Sequence, residues 1–342
     1  MRVLVTGGTG FLGRHLLNLL ANQGDEVVAL VRKKTHDVDS RVRQAEGDIL
    51  DGPSVEAAAR GCDALYHCAG RVSRRTEDAE MLYKLHVEGT KTTLVAARKA
   101  GVKRVVVAST SGTIAVSDDP DFIASESFTP PLATIARWPY YRSKYFAESA
   151  ALDMNQTGEN PFEVVSVNPT LLLGPGDVNG SSTEDVRLFL EKKIPATPAG
   201  GLSYVDVRDA AEAMRLGMLK GKPGEKYLIG SCNLTLSEFF GRLARVSGIP
   251  APKITLPRAP VVARVGVEVA EKIMSRIGMA MPVDAVSFDM AQFYWYLDAT
   301  KAETELGWTS RDPLETLYDT VEDLRARGIV WPETFAENEA SI

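Results

Sequence analysis

The sequence predicts an α/β fold built on a doubly wound parallel sheet, and two observations carry that prediction. Over residues 1–110, short runs nearly continuous in Val, Leu and Ala alternate with longer segments whose apolar residues recur at helical spacing. Such runs are buried on both faces, which with helices between them means parallel strands joined by crossovers. A glycine cluster also stands directly between the first run and the first helical segment, where a tight strand-to-helix turn is required.

The elements follow in order. Arg2–Thr6 (RVLVT) is the first strand, Phe11–Gln23 the first helix, stopped at Gly24, and Glu26–Val31 the second strand. Val42–Gly47 reads as a third strand, Ser54–Arg60 as a short helix with Pro53 at its start, and Ala64–Cys68 as a fourth strand. A long helix over Glu80–Ala100 closes at Gly101, and Val102–Ala108 is the fifth strand. A helix over Trp138–Asn155, a sixth strand over Phe162–Asn168, a helix over Asp206–Leu219 and a last strand over Glu225–Gly230 complete the sheet. Thr170–Ser203 and Pro250–Pro282 are rich in Gly or Pro and are expected to build a lid over the strand ends. The division this implies is a main domain of residues 1–172 with 203–230, a smaller C-terminal lobe of 173–202 with 231–330, and a frayed acidic tail over 331–342.

Composition removes several classes. At 342 residues, 44% hydrophobic and 25% charged, the chain is expected to be a soluble globular protein with a core of its own. With 39 basic against 45 acidic residues the net charge is −6, so no basic excess is left for nucleic-acid phosphates. Cys62, Cys68 and Cys232 form no CxxC pair; Cys62 and Cys68 flank a buried strand and read as small core residues in a reducing compartment. With only four histidines beside them, no metal site is expected. No charged-then-apolar leader precedes Val3 and no run of about eighteen apolar residues occurs, so the expected location is cytoplasmic.

The glycine cluster is Thr6-Gly7-Gly8-Thr9-Gly10-Phe11-Leu12-Gly13. Between a strand and a helix, residues without side chains let the backbone approach a pyrophosphate, and the helix N-terminus holds the anion. Gly7, Thr9, Gly10, Phe11, Leu12 and Gly13 are therefore the expected contacts to a dinucleotide; the alternative is a mere tight turn. The second strand runs into Arg32-Lys33-Lys34, with no acid to accept ribose hydroxyls. Arg32 and Lys33 suit a 2′-phosphate, favouring NADP(H) over NAD(H), unless the run is a solvated basic loop. Asp48 after the third strand could meet the adenine amino group, with a turn-forming role beside Gly47 as the alternative.

Tyr140 and Lys144 are four apart at the start of a helix and share one face of it. A tyrosine exchanges a proton with a substrate oxygen only when its pKa is brought toward neutrality. A shift of about three units takes roughly 4 kcal/mol of preferential phenolate stabilisation. An ammonium and a cationic nicotinamide can supply that. The alternative is an ordinary surface pair. Tyr141, one residue off this face, reads as a packing or pocket residue.

With these residues in view, the chain resembles the extended short-chain dehydrogenase/reductases, close to their dihydroflavonol-reductase-like and hopanoid-associated sugar-epimerase-like members. TGGTGFLG matches the family's TGxxGFxG and YYRSK its YxxxK; VEGT (87–90), NPTLLLGPGD (168–177) and KAETELGW (301–308) match further segments, so the likeness reaches about residue 330. The resemblance implies a Rossmann-type cofactor domain with a smaller substrate-binding lobe, and a Lys144 that bonds the nicotinamide ribose. It implies a third catalytic hydroxyl after the fifth strand. Matching Ala108-Ser109-Thr110-Ser111-Gly112-Thr113 to TSSxxT puts Thr110 there, with Ser109 and Ser111 as competing assignments. It also implies that Ile49, Ala69, Gly70 and Pro169 line the cofactor, and that two long helices form a homodimer. One departure is His86, which stands where relatives commonly carry Asn; a structural histidine and a proton relay are both open.

The expected function is interconversion of a carbonyl and an alcohol by an NADP(H)-dependent oxidoreductase, Tyr140 acting as acid and base. The alternatives are a nucleotide-sugar epimerase or dehydratase retaining NAD, and a cofactor sensor without turnover, against which the presence of both Tyr140 and Lys144 speaks. The expected partner is a small molecule, apolar or a nucleotide sugar. Arg258–Met281 reads as a lid helix or, less simply, a membrane-surface helix. Phe293, Tyr294, Trp295 and Tyr296 wall a pocket or pack a core.

Overall fold

The computed structural model describes residues 1–257 and 285–330. The expected Arg258–Met281 helix, most of Pro250–Pro282 and the 331–342 tail lie outside the described residues. Seven strands form the main sheet: β1 (Arg2–Thr6), β2 (Glu26–Val31), β3 (Arg43–Glu46), β4 (Ala64–His67), β5 (Arg104–Ala108), β6 (Glu163–Pro169) and β10 (Lys226–Ile229). Their order is β3-β2-β1-β4-β5-β6-β10, and every neighbouring pair is parallel. This is the doubly wound Rossmann-type arrangement. The order reverses between β1 and β4, and in such sheets ligands bind outside the carboxyl ends of the strands at that reversal.

The period-two alternation of each strand sorts its side chains between two cores. Val3 and Val5 of β1 pack with Leu16, Leu17 and Leu20 of α1 (Phe11–Asn22) and with Ala210 and Met214 of the helix Val207–Lys220. Leu4 faces the other way, onto Val55 of α2 (Gly52–Ala59) and Leu94 and Ala97 of the helix Gly89–Lys99. The expected long helix over Glu80–Ala100 is not one regular helix. It runs as α3 (Ala79–Tyr83), a π-helical turn over Lys84–Glu88, then α4 (Gly89–Lys99). The π turn seats His86 and Val87, both buried against the sheet side of the helix pair.

Thr170–Ser203 is more regular than an inserted lid. Short β7 (Leu171–Leu173) and β9 (Gly201–Asp206), separated in the chain by the two-residue β8 (Ala196–Thr197), pair in parallel, and β11 (Cys232–Thr235) adds antiparallel to β9, making a separate three-stranded sheet. This sheet straddles the expected boundaries at 172/173 and 202/203. Asp206 is the N-cap of the following helix, accepting from Arg208 N at 2.8 Å, rather than its first turn. A third core forms here around Phe189, Tyr204, Phe239, Phe240 and Leu317. The chain then returns: Ala299, Ala302, Leu306 and Trp308 rejoin the first core, and Trp308 Nε1 donates to the Asp209 carbonyl at 2.8 Å. No helix among the described residues is long and apolar enough to cross a membrane.

Candidate active site

The cradle is built by close backbone approach. Gly7 has φ +72°, and a Cβ there would sit 2.5 Å from Ala69 N and 2.6 Å from the Cys68 carbonyl, on the segment leaving β4. A Cβ on Gly13 would lie 2.1 Å from Gly7 O. The two glycines thus let α1 and the β4 loop press against one turn, which Gly10 N closes onto Gly7 O at 2.9 Å. The N-cap, Gly10, makes no side-chain cap, and no acidic residue stands in the first turn of α1. Nothing negative in that turn therefore opposes an anion at this end. Thr9 is exposed, while Phe11 and Leu12 are buried in the core beneath. Ala69 and Gly70 lie across the reversal point from the cradle, and Pro169 is the buried last residue of β6, paired with Ile229.

Arg32, Lys33 and Lys34 follow β2 directly, are exposed, and make no ion pair with a described residue. Asp48 Oδ1 accepts from Leu50 N at 2.9 Å, so its carboxylate does form a turn. Ile49 is buried beneath it; Gly89 makes room, since a Cβ there would stand 2.7 Å from Ile49 Cδ1. All three cysteines are free thiols, and burial pushes Cys68 up to about 12.

Helix α6 (Pro139–Leu152; α5 is the short Leu132–Ile135) starts after Trp138 with Pro139 in its first turn and brings Lys144 to the sheet, with Tyr140 one turn before it. Lys144 Nζ donates to the Ala108 carbonyl, the last of β5, at 2.6 Å. Burial brings this lysine down to about 8, with Glu148 acting against the fall. Burial also pushes the Tyr140 phenol above its ordinary value, the reverse of the shift that proton transfer needs. In the chain alone, then, Tyr140 keeps its proton near neutral pH. Ser109, Thr110 and Ser111 are all buried. Thr110 Oγ1 accepts from Gly112 N at 3.4 Å, capping the turn Ser111–Thr113. The Ser109 hydroxyl borders a small polar cavity with Lys144 and His67 and has no partner among the described residues.

His86 forms a directed chain. Arg71 N donates to its Nε2 at 3.1 Å, which leaves the proton on Nδ1, 2.8 Å from Ser143 Oγ; Ser143 Oγ donates to the Tyr140 carbonyl at 2.8 Å. The ring also meets Tyr140 edge-on, centroids 5.8 Å apart. His86 therefore ties the segment after Gly70 to the first turn of α6, and burial holds it down at about 3, neutral at any working pH. Tyr141 packs against the Gly112 backbone, where a Cβ would come within 2.1 Å of its ring, and stacks on Trp295 at 4.8 Å. The 293–296 run divides by parity: Phe293 and Trp295 pack on Trp138, whereas Tyr294 and Tyr296 pair with each other toward β9. Two features escaped the sequence. One is His67, whose Nδ1 and Nε2 bond Thr6 Oγ1 (2.8 Å) and Thr90 Oγ1 (3.0 Å); inside an apolar run it looked like an ordinary strand residue. The other is Glu148, which does carry a signal: an acid four residues past Lys144 on a core-facing stripe.

A reversal-point cradle and a helix delivering Tyr and Lys beside it define an NAD(P)-binding enzyme of the oxidoreductase type. The chain belongs to the NAD-dependent epimerase/dehydratase family, whose model matches residues 3–230. It is 34% identical, over 95% of both chains, to a protein of Synechocystis sp. (strain ATCC 27184 / PCC 6803 / Kazusa) provisionally named dihydroflavonol 4-reductase. It is 32% identical to Sterol demethylase protein B of Methylococcus capsulatus (strain ATCC 33009 / NCIMB 11132 / Bath), over 75% of this chain and 78% of that one. Its fold matches the UDP-glucose 4-epimerase of Thermus thermophilus, solved with NAD, at a TM-score of 0.72 and 25% identity, covering 95% of this chain and 99% of the other.

Proposed function

We propose that this protein is an NADP(H)-dependent reductase or dehydrogenase that interconverts a carbonyl and an alcohol on an apolar small molecule. The observation that carries the reading is Lys144 Nζ bonded at the carboxyl end of β5, with Tyr140 one turn before it on the same face of α6 and the Gly7–Gly13 cradle pressed against the segment leaving β4. Gly7, Gly10 and Gly13 admit the pyrophosphate, and Arg32 and Lys33, exposed after β2 and paired with no described residue, take the 2′-phosphate. Ala69, Gly70 and Pro169 border the cofactor, and Asp48 offers its second oxygen to the adenine. The bound nicotinamide supplies the hydride.

The chain's own residues manage the proton. In the reducing direction Tyr140 gives its hydroxyl proton to the nascent alkoxide, with Thr110 as hydrogen-bond partner to the same oxygen. Lys144, ammonium below about pH 8, stabilises the phenolate left behind and bonds the ribose. Tyr141, Trp138, Phe293 and Trp295 pack on one another beside Tyr140, and this apolar surrounding supports an apolar substrate over a nucleotide sugar. The test is to titrate the purified protein with NADPH and NADH, then to follow NADPH oxidation with apolar ketones. Tighter NADPH binding and net oxidation are expected. A preference for NADH, or NAD that stays bound through purification with no net consumption, would replace this reading with that of an epimerase or dehydratase.

A further inference from the structure

Tyr140, Lys144 and Glu148 lie on one face of α6, one turn apart. Glu148 is 2% exposed, a burial that a carboxylate tolerates only with partners. One oxygen pairs with Lys226 Nζ of β10 at 2.5 Å; the other accepts from Ser166 Oγ at 3.3 Å and from Asn168 Nδ2. Asn168 Nδ2 donates in turn to the Thr110 carbonyl at 3.2 Å and to Thr113 Oγ1 at 3.3 Å. Lys144 and Glu148 border the same small polar cavity, with Ser109, His67 and Thr90 around it.

We infer that Glu148 is a positioning residue for the proton-transfer pair: its carboxylate holds Lys144 as an ammonium at the end of β5 and, through Asn168, holds the backbone of Thr110. The inference rests on the roles of Tyr140 and Lys144 proposed above. Its physical basis is the charge around the lysine. Among the described residues, the other titratable groups bearing on Lys144 are His67, Cys68 and His86, from β4, the loop after it and the π turn. Both histidines are held at about 3 and the thiol at about 12, so all three are neutral near pH 7. Glu148 is thus the formal opposite charge in the set, partly offset by Lys226 on its far side. Take it away, and burial alone acts on the lysine, which would lose the charge that a phenolate needs.

The test is an NMR titration of lysine-labelled, cofactor-free protein, with the Lys144 signal assigned by Lys144→Met. In Glu148→Gln the Lys144 midpoint is expected to fall by about one unit or more, while Glu148→Asp stays near wild type. In turnover, Glu148→Gln is expected to lower kcat at pH 7.5 with KM within about twofold, and to move the alkaline limb of the pH profile down with the NMR midpoint. An unmoved midpoint, or an equal loss at every pH, would overturn the proposal. Should Glu148→Gln not fold, Lys226→Met must raise the midpoint by relieving the carboxylate of its competing cation; no rise would overturn it equally. A wild type that reduces no carbonyl defeats the functional reading alone, since the titration needs neither cofactor nor substrate.

Discussion

Desolvation raises the half-buried Tyr140 phenol above its ordinary value, so it gives up its proton only where positive charge is brought against it. Tyr140→Phe is therefore expected to lower kcat by about 10²- to 10⁴-fold while leaving NADPH binding, read by fluorescence titration, within about twofold of wild type; undiminished turnover would remove it as the acid. At the other end of the cofactor, replacing Arg32 and Lys33 by Ser is expected to weaken NADPH by about ten- to a hundredfold and leave NADH unchanged. An equal loss for both would return that run to a solvated loop. Gly13→Ala forces a Cβ to within 2.1 Å of a backbone oxygen with no flexible side chain to yield. The expected outcome is loss of cofactor binding together with about 1–3 kcal/mol of stability by urea denaturation. These residues were legible in the sequence because glycine, a Tyr–Lys spacing and a basic run are local signals. Asp48 was only half legible: its turn-forming oxygen is seen, and its second oxygen is not decided by spacing.

The two helices that frame the active site carry a pair of neutral histidines between them and the sheet. His67 joins β1 to α4 through Thr6 and Thr90, and His86 joins the β4 loop to α6 through Ser143. Both are held at about 3 by burial, below the ordinary 6.5, so between those values the folded chain binds fewer protons than the unfolded one. Stability is therefore expected to be full above about pH 6.5 and to fall as pH is lowered toward 3, by up to about 1.4 kcal/mol per pH unit for each histidine. Urea midpoints at pH 7.5, 6 and 5 measure it. His86→Asn should flatten the slope, and a slope unchanged by that substitution would place the titration elsewhere. The π turn that seats His86 could not be read from apolar periodicity, which continues smoothly through Glu80–Ala100. The turn stands where His86 is bonded from both sides, by Arg71 N and by Ser143 of α6, contacts between segments distant in the chain.

Across the whole molecule, the C-terminal segment is part of the cofactor domain's core as much as of the lobe. Trp308 is 1% exposed, bonds the Asp209 carbonyl and packs with Ala302 and Leu306 beside the helix Val207–Lys220. Trp308→Ala is expected to cost about 3–5 kcal/mol, measured by denaturation, and to weaken the entire chain rather than the lobe alone. A change confined to the lobe, with the main sheet's hydrogen exchange untouched, would show two independent units. Arg74 on the β4 side pairs with Asp185 of α7 (Glu184–Leu190) at 2.8 Å, a second tie between the two parts beside Tyr141.

By itself the amino-acid order determined the parallel sheet, the tight glycine turn and the Tyr140–Lys144 spacing on one helix face, because each is written over a few neighbouring residues in glycine, apolar period or helical repeat. Only the tertiary structure decided the pairing of β7, β9 and β11, the hydrogen-bond chain through His86, and the burial of Glu148 beneath Lys144. Those depend on which distant segments are pressed together. A carboxylate's partners, or the protonation of a histidine, follow from the dielectric and the neighbours that packing provides rather than from its own place in the chain.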